Sequence, residues 1–242
     1  VKTINDLQLL AGIPIAIRGV GTLTPLKVSQ VAEMGEDRYN HYLSILCFNV
    51  QELDDEVVSV LSDEVTSFDI IISQCFHDEQ FCGLVVEGLS TFFADKVEFV
   101  RDYGVFYLGD VREGRIITRD NYEEIKHVLR TQNFVQDKIK EEYNPANERA
   151  RQLIEQIKQN QKNAPKTNEK TLYSIISGIA WKSHIGIKSV WDLTIYQLFD
   201  AYYRLELVDA WDKTLTGIYS GSIDGKKINL KDLSWSKPIK FK

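Results

Sequence analysis

The chain predicts an α+β fold, predominantly helical, with small hairpins and helices in an N-terminal domain and a helical C-terminal domain. Three observations carry this. Residues 189 to 211, SVWDLTIYQLFDAYYRLELVDAW, place Leu198, Tyr202, Leu205, Val208 and Trp211 at spacings of three and four, the period of one helix face. The stretch GVFYLGDVREGRIIT sets β-prone runs on both sides of a turn bounded by Gly109 and Gly114. A hydrophobic content of 43% over 242 residues is enough to bury a core, and no run of about 18 apolar residues predicts a bilayer span.

In chain order, residues 13 to 26 alternate apolar and small residues around Gly19 and Gly21 and predict a short hairpin. Residues 27 to 48 predict a helix with Gly35 weakening its middle. Residues 52 to 69 gather acids, including Glu52, Asp54, Asp55, Glu56, Asp63, Glu64 and Asp69, without the spacing of a calcium loop, and predict solvated surface. Residues 68 to 93 are the most apolar stretch and predict the core of the first domain. Short strands follow at 97–100, 104–109 and 115–118, and then a helix capped by Asp120 or Asn121.

Asn144-Pro145 and Ala164-Pro165 bracket a polar, Gln- and Lys-rich helical connector. The expected division is therefore 1–143, a connector at 144–166, and a C-terminal helical domain with a basic tail at 167–242. In that last part Leu172, Tyr173, Ile175, Ile176, Ile179, Ala180 and Ile185 predict a helix packed antiparallel to the aromatic one. Ser189 or Thr194 is the expected cap of the aromatic helix, and an exposed Asp200–Arg204 pair would add about 0.3–0.5 kcal/mol. Beyond Trp211 the chain turns polar, with Gly217, Gly221 and Asp224-Gly225 marking turns.

Charge is uneven. Residues 1–100 carry 16 acids and 5 bases, residues 101–242 carry 19 acids and 24 bases, and the halves are −11 and +5, summing to the net −6. The acidic first half argues against general nucleic-acid binding, and the basic tail suits an acidic partner or a neighbouring copy. Three cysteines, Cys47, Cys75 and Cys82, do not make a disulfide framework, and the N-terminal VKTINDLQLLAGIPIAI has Asp6 and no cleavage-site pattern. A cytoplasmic, reducing compartment is the expectation.

No nucleophile elbow, H-E-x-x-H, Walker or dinucleotide motif occurs. Cys75, His77 and Cys82 are zinc-ligand types, but structural zinc asks for a fourth ligand in paired short spacings, so core cysteines are the plainer reading. GDVREG lacks the Lys-Ser/Thr of a phosphate loop. The expectation is a protein that is not an enzyme, with no catalytic residue, cofactor or metal. A small hydrolase working through surface carboxylates is the third-ranked reading. Two readings of the aromatic cluster stand side by side: internal packing, or a partner-binding surface formed by Trp191, Tyr196, Tyr202, Tyr203 and Trp211, with Trp235 anchoring the tail.

Three strings, SIISGIAWKSH, WDLTIYQLFDAYYRLELVDAW and the late DLSWSKPI, resemble in their order the C-terminal part of proteins from tailed phages of Gram-positive hosts. The N-terminal IPIAI followed by LTPLKVSQVAEMGEDRYNHYL is similar to tail assembly chaperones of siphovirus-type phages. This resemblance implies a non-enzymatic assembly factor in the infected host cytoplasm that binds the tape measure protein and recruits tail tube protein. It implies no catalytic residues. Self-association is open, and a head–tail or baseplate subunit is the alternative role.

Overall fold

A computed structural model describes residues 4–53, 62, 64–135, 171–231, 233–237 and 239. Helix α1, Asp6–Leu10, leads into a hairpin of β1, Ile15–Ile17, and β2, Gly21–Leu23, paired antiparallel with Ala16 opposite Thr22. The expected helix at 27–48 is two helices, α2 (Val28–Met34) and α3 (Glu36–Leu46). Gly35 separates them at φ +91°, where a side chain is strained.

The apolar stretch 68–93 likewise divides, into α4 (Ser67–His77) and α5 (Glu79–Phe93). Asp78 makes the break, its carboxylate accepting from the N–H groups of Gln80 and Phe81 and so capping α5. Strands β3 (Val97–Val100), β4 (Val105–Leu108) and β5 (Ile116–Ile117) form an antiparallel meander in the order β3-β4-β5. Helix α6, Arg119–Gln132, starts one residue after Thr118. Thr118 is its cap and Asn121 the reciprocal partner, accepting from the Thr118 N–H at 2.9 Å, so neither Asp120 nor Asn121 is the cap.

Helices α5 and α6 centre the core. Helix α5 packs on α3, α4, β2 and β3, while α6 packs on α3, α4 and the first hairpin. Phe92, Phe106, Leu89, Ile125, Leu129 and Tyr122 are fully buried there. The core asked of residues 68–93 is therefore present, shared with α3, α6 and both sheets.

Beyond residue 170 the chain forms α7 (Leu172–Lys182), the short α8 (Ile187–Val190) and α9 (Ile195–Tyr219). Their buried side chains, Ile175, Ile176, Ile179, Ala180, Val190, Ile195, Tyr196 and Leu198, join the same hydrophobic cluster as the first 135 residues. A backbone seam ties the two parts. Val28 N–H donates to the Leu193 carbonyl at 2.9 Å, Ser29 N–H to Trp191 at 3.1 Å, and Ile195 N–H to Leu26 at 2.9 Å. The expected connector at 144–166 lies outside the described residues.

Near the start of β3, Asp95 accepts from Arg115 at 2.7 Å and from the Lys96 N–H at 2.7 Å. The guanidinium first, and the amide second, hold its carboxyl below the usual carboxylate range. A folded value below the unfolded one stabilises above the ordinary carboxylate range and is lost as pH falls through the folded value. The expected result is a denaturant midpoint that declines below about pH 4. Asp95→Asn should remove part of that decline, and an unchanged acid profile in the variant would contradict the assignment.

Candidate functional site: the aromatic helix and its neighbours

Helix α9 begins at Thr194, whose hydroxyl accepts from Gln197 N–H at 3.2 Å while Gln197 Oε1 accepts from Thr194 N–H at 2.8 Å. Thr194 rather than Ser189 is therefore the cap. Gln197 also donates to the Leu10 carbonyl at 2.8 Å, which fixes α1 against this end. The helix runs through Trp211 and the predicted turn at Gly217 to Tyr219, about two turns beyond the stretch that ends at Trp211.

Its apolar residues divide among three faces, roughly a third of a turn apart at 100° per residue. On the first, Tyr196, Phe199 and Tyr203 stack on Phe134, with ring centroids at 4.8, 5.5 and 5.8 Å. Tyr196 is buried there, so of the six aromatic residues read as a partner surface it belongs to the core. Burial also raises its phenol above the ordinary tyrosine range.

On the second face, Tyr202, Leu205 and Asp209 line a groove of about 220 Å³ with Ser174, Ile175 and Gly178 of α7. An ion pair between Lys182 and Asp209 closes one end and holds the Asp209 carboxyl below its usual range. On both helices the groove residues precede that ion pair in sequence. Helices α7 and α9 therefore run in the same sense, not antiparallel, and residues 183–194 make the return through α8.

The third face carries Arg204, Val208, Trp211, Leu215 and Ile218 at spacings of four and three. Its four apolar side chains are half-buried, although none belongs to the main core. The cover is a C-terminal strap, residues 223–231 and 233–237, which doubles back along the helix. Ile223 packs over Gly217, Gly225 lies against Ile218, and Arg204 Nη1 donates to the carbonyls of Trp235 and, at 2.8 Å, Lys237. Asp200 lies 3.9 Å from Arg204, and burial raises its carboxyl above the ordinary range. The Asp200–Arg204 pair is thus half-buried and holds the strap, where the sequence predicts an exposed pair.

The freely exposed aromatics lie elsewhere. On α7, whose buried residues are Ile175, Ile176, Ile179 and Ala180, Tyr173 in the first turn is 77% and Trp181, opposite the buried face, 71% exposed. Ile185, Ile187 and Trp191 continue this apolar surface through α8, with the Trp191 ring partly exposed while its carbonyl is held in the seam. Trp235 is about half exposed, and Tyr202, Tyr203 and Trp211 are half-buried. Sequence reasoning counts Tyr173 within an apolar helix and passes over Trp181. For Trp181 the signal was the pattern itself, since 175, 176, 179 and 180 fill one face and 181 falls opposite; Tyr173 stands three residues before Ile176 and seven before Ala180, so periodicity places it on the buried stripe and only its position in the first turn leaves it exposed.

A second cavity of about 450 Å³ lies between α3 and the end of α6. Its polar groups engage one another: Tyr39 donates to Asn133 at 3.0 Å, and Arg130 lies 3.6 Å from Glu52 and donates to the Cys47 carbonyl. Burial pushes the Cys47 thiol up to about 12, so it stays protonated at neutral pH. Cys75 is fully buried with its thiol beside that of Cys82, whereas His77 Nδ1 meets the Ser73 carbonyl at 2.6 Å. Among the described residues, no three His, Cys, Asp or Glu side chains gather to hold a metal. In the acidic run, Asp69 accepts at 2.8 Å from the N–H of Thr66, the cap of α4, and pairs with Arg119 at 3.2 Å; Asp54, Asp55, Glu56 and Asp63 lie outside the described residues. No described helix is long and apolar enough to cross a membrane.

Residues 154–240 match the family model described as YomV second domain, YomV being a protein of the Bacillus phage SPbeta region. The match takes in α7, α8, α9 and the whole strap, and its family is phage-associated. No curated protein and no solved structure matches the chain.

Proposed function

We propose that this chain is a non-enzymatic phage tail assembly chaperone that binds the tape measure protein and recruits tail tube subunits. The observation that carries the reading is the exposed Tyr173 and Trp181 on α7, continued by Ile185, Ile187 and Trp191, within the segment that matches a phage-associated family. Large aromatics left in water beside aliphatic neighbours mark a surface that gains by being covered. The long amphipathic helices of a tape measure protein offer the complementary apolar stripe, the helix-on-groove mode of recognition. Trp191, already positioned by the seam, is the edge of that surface, and Tyr202 stands behind it in the groove between α7 and α9, while Tyr203, Trp211 and Trp235 lie on other faces of α9.

Co-expression with the tape measure protein, and separately with tube protein, tests this by size exclusion with light scattering. A defined soluble complex with the tape measure protein is the expected result. No complex, together with the chain found stoichiometrically in purified virions, overturns the reading in favour of a head–tail or baseplate subunit.

A further inference from the structure

The strap is seated on α9 through contacts that a loose tail would not make. Gly217 lies inside a helix, where glycine is disfavoured relative to alanine. A Cβ there would stand 2.5 Å from Ile223 Cδ1 and 2.9 Å from its Cγ1. From the strap side, a Cβ on Gly225 would stand 3.0 Å from Ile218 Cγ2. One glycine from each partner thus permits an approach that side chains would block. At the other end Arg204 grips two main-chain carbonyls of the turn at Trp235–Lys237, which a segment turning there offers regardless of its side chains. Between these points the helix advances about 21 Å over fourteen residues. Ile228 and Leu233 are half-buried along this path, and Lys226, Lys227, Lys231 and Lys237 face outward.

We infer that the Arg204–Val208–Trp211–Leu215–Ile218 face is a docking surface for a lysine-rich, turn-forming segment punctuated by aliphatic residues, and that the strap is its resident occupant, exchanged for a client segment of the same chemistry. The occupant's chemistry is read from the strap itself: an aliphatic side chain over Gly217, a small residue on Ile218, two carbonyls for Arg204. For the client's identity alone the inference rests on the proposed chaperone role. A segment tethered on the same chain competes at a millimolar effective concentration, so a free peptide is excluded until the strap is loosened.

The test uses the full chain and a fluorescent peptide copying residues 222–242, followed by anisotropy. Ile223→Asp and Gly225→Val each loosen the strap without touching α9, and no residue of the strap belongs to the main core. Both variants are expected to bind the peptide at least about tenfold more tightly than the unaltered chain. Adding Arg204→Leu to either should return binding to the weak level, with circular dichroism unchanged throughout. Equal binding by loosened and unaltered chains, or none by the loosened ones, overturns the inference. Peptide exchange without any complex with the tape measure protein upholds the docking surface and defeats the proposed client.

Discussion

Replacing Tyr122 with alanine lowers the free energy of unfolding by about 4 kcal/mol, in the range for large aromatic truncations in a core. The side chain is fully buried on α6 and its ring lies 5.2 Å from that of Phe68. Its hydroxyl donates to the Leu46 carbonyl at 3.0 Å, joining α6 to the end of α3. Burial raises the phenol well above the ordinary tyrosine range, so the donor proton stays in place across working pH. Two losses add in the alanine variant, a cavity and an unpaired carbonyl. Tyr122→Phe separates them, keeping the ring and costing about 1–2 kcal/mol for the carbonyl left without its donor. Urea unfolding of both variants measures the difference. Equal losses would show that the hydroxyl carries the whole effect and that the ring does not fill the core as described.

The second large effect is on binding. Tyr173→Ala combined with Trp181→Ala should weaken association with the tape measure protein by about a thousandfold, since hot-spot aromatics contribute about 2 kcal/mol each and about 1.4 kcal/mol is a factor of ten. Stability should move by no more than about 0.5 kcal/mol, as for surface positions. Tyr202→Ala with Trp211→Ala, the pair that the sequence alone would choose, should behave differently. Both rings are half-buried, Tyr202 toward α7 and Trp211 on the face of α9 that the strap meets at either end, so their loss loosens local packing. Titration calorimetry beside thermal unfolding discriminates the two pairs. Full-strength binding by the Tyr173/Trp181 variant would remove α7 from the proposed surface.

Period and turn chemistry made much of this fold legible. The hairpin around Gly19 and Gly21, the β4–β5 turn and the core at 68–93 follow from local signals that tertiary structure only reinforces. Breaks within apolar runs were harder. Asp78 reads as one more acid until its carboxylate is seen capping α5, and Thr118 competes with two better-known cap types immediately after it. The site was less legible for a different reason. Three faces of α9 are apolar because three different partners cover them, and a single stripe drawn through Leu198, Tyr202, Leu205, Val208 and Trp211 crosses from one partner to the next. Gly217 illustrates the same limit: in sequence it signals a turn, and in space it is the clearance for Ile223. The direction of α7 relative to α9 depends on how residues 183–194 return, which periodicity does not encode.

The seam between residues 26–29 and 191–195 has a consequence for how such a chain diverges. Its ties at Val28, Ser29 and Ile195 are made by main-chain atoms, and the one side-chain link, Lys27 with Asp192 at 3.2 Å, is exposed. Mutation alters side chains and leaves peptide groups where they are, provided proline stays away from the donating positions. The hydrogen bonds of each flank therefore survive changes in its solvent-facing side chains, such as Lys27 and Asp192, while Leu26, Val28 and Ile195 are held to apolar choices by their burial in the shared core. Deletions that shift the chain by a residue should be purged. The joint fixes a geometry and leaves only its outward letters free.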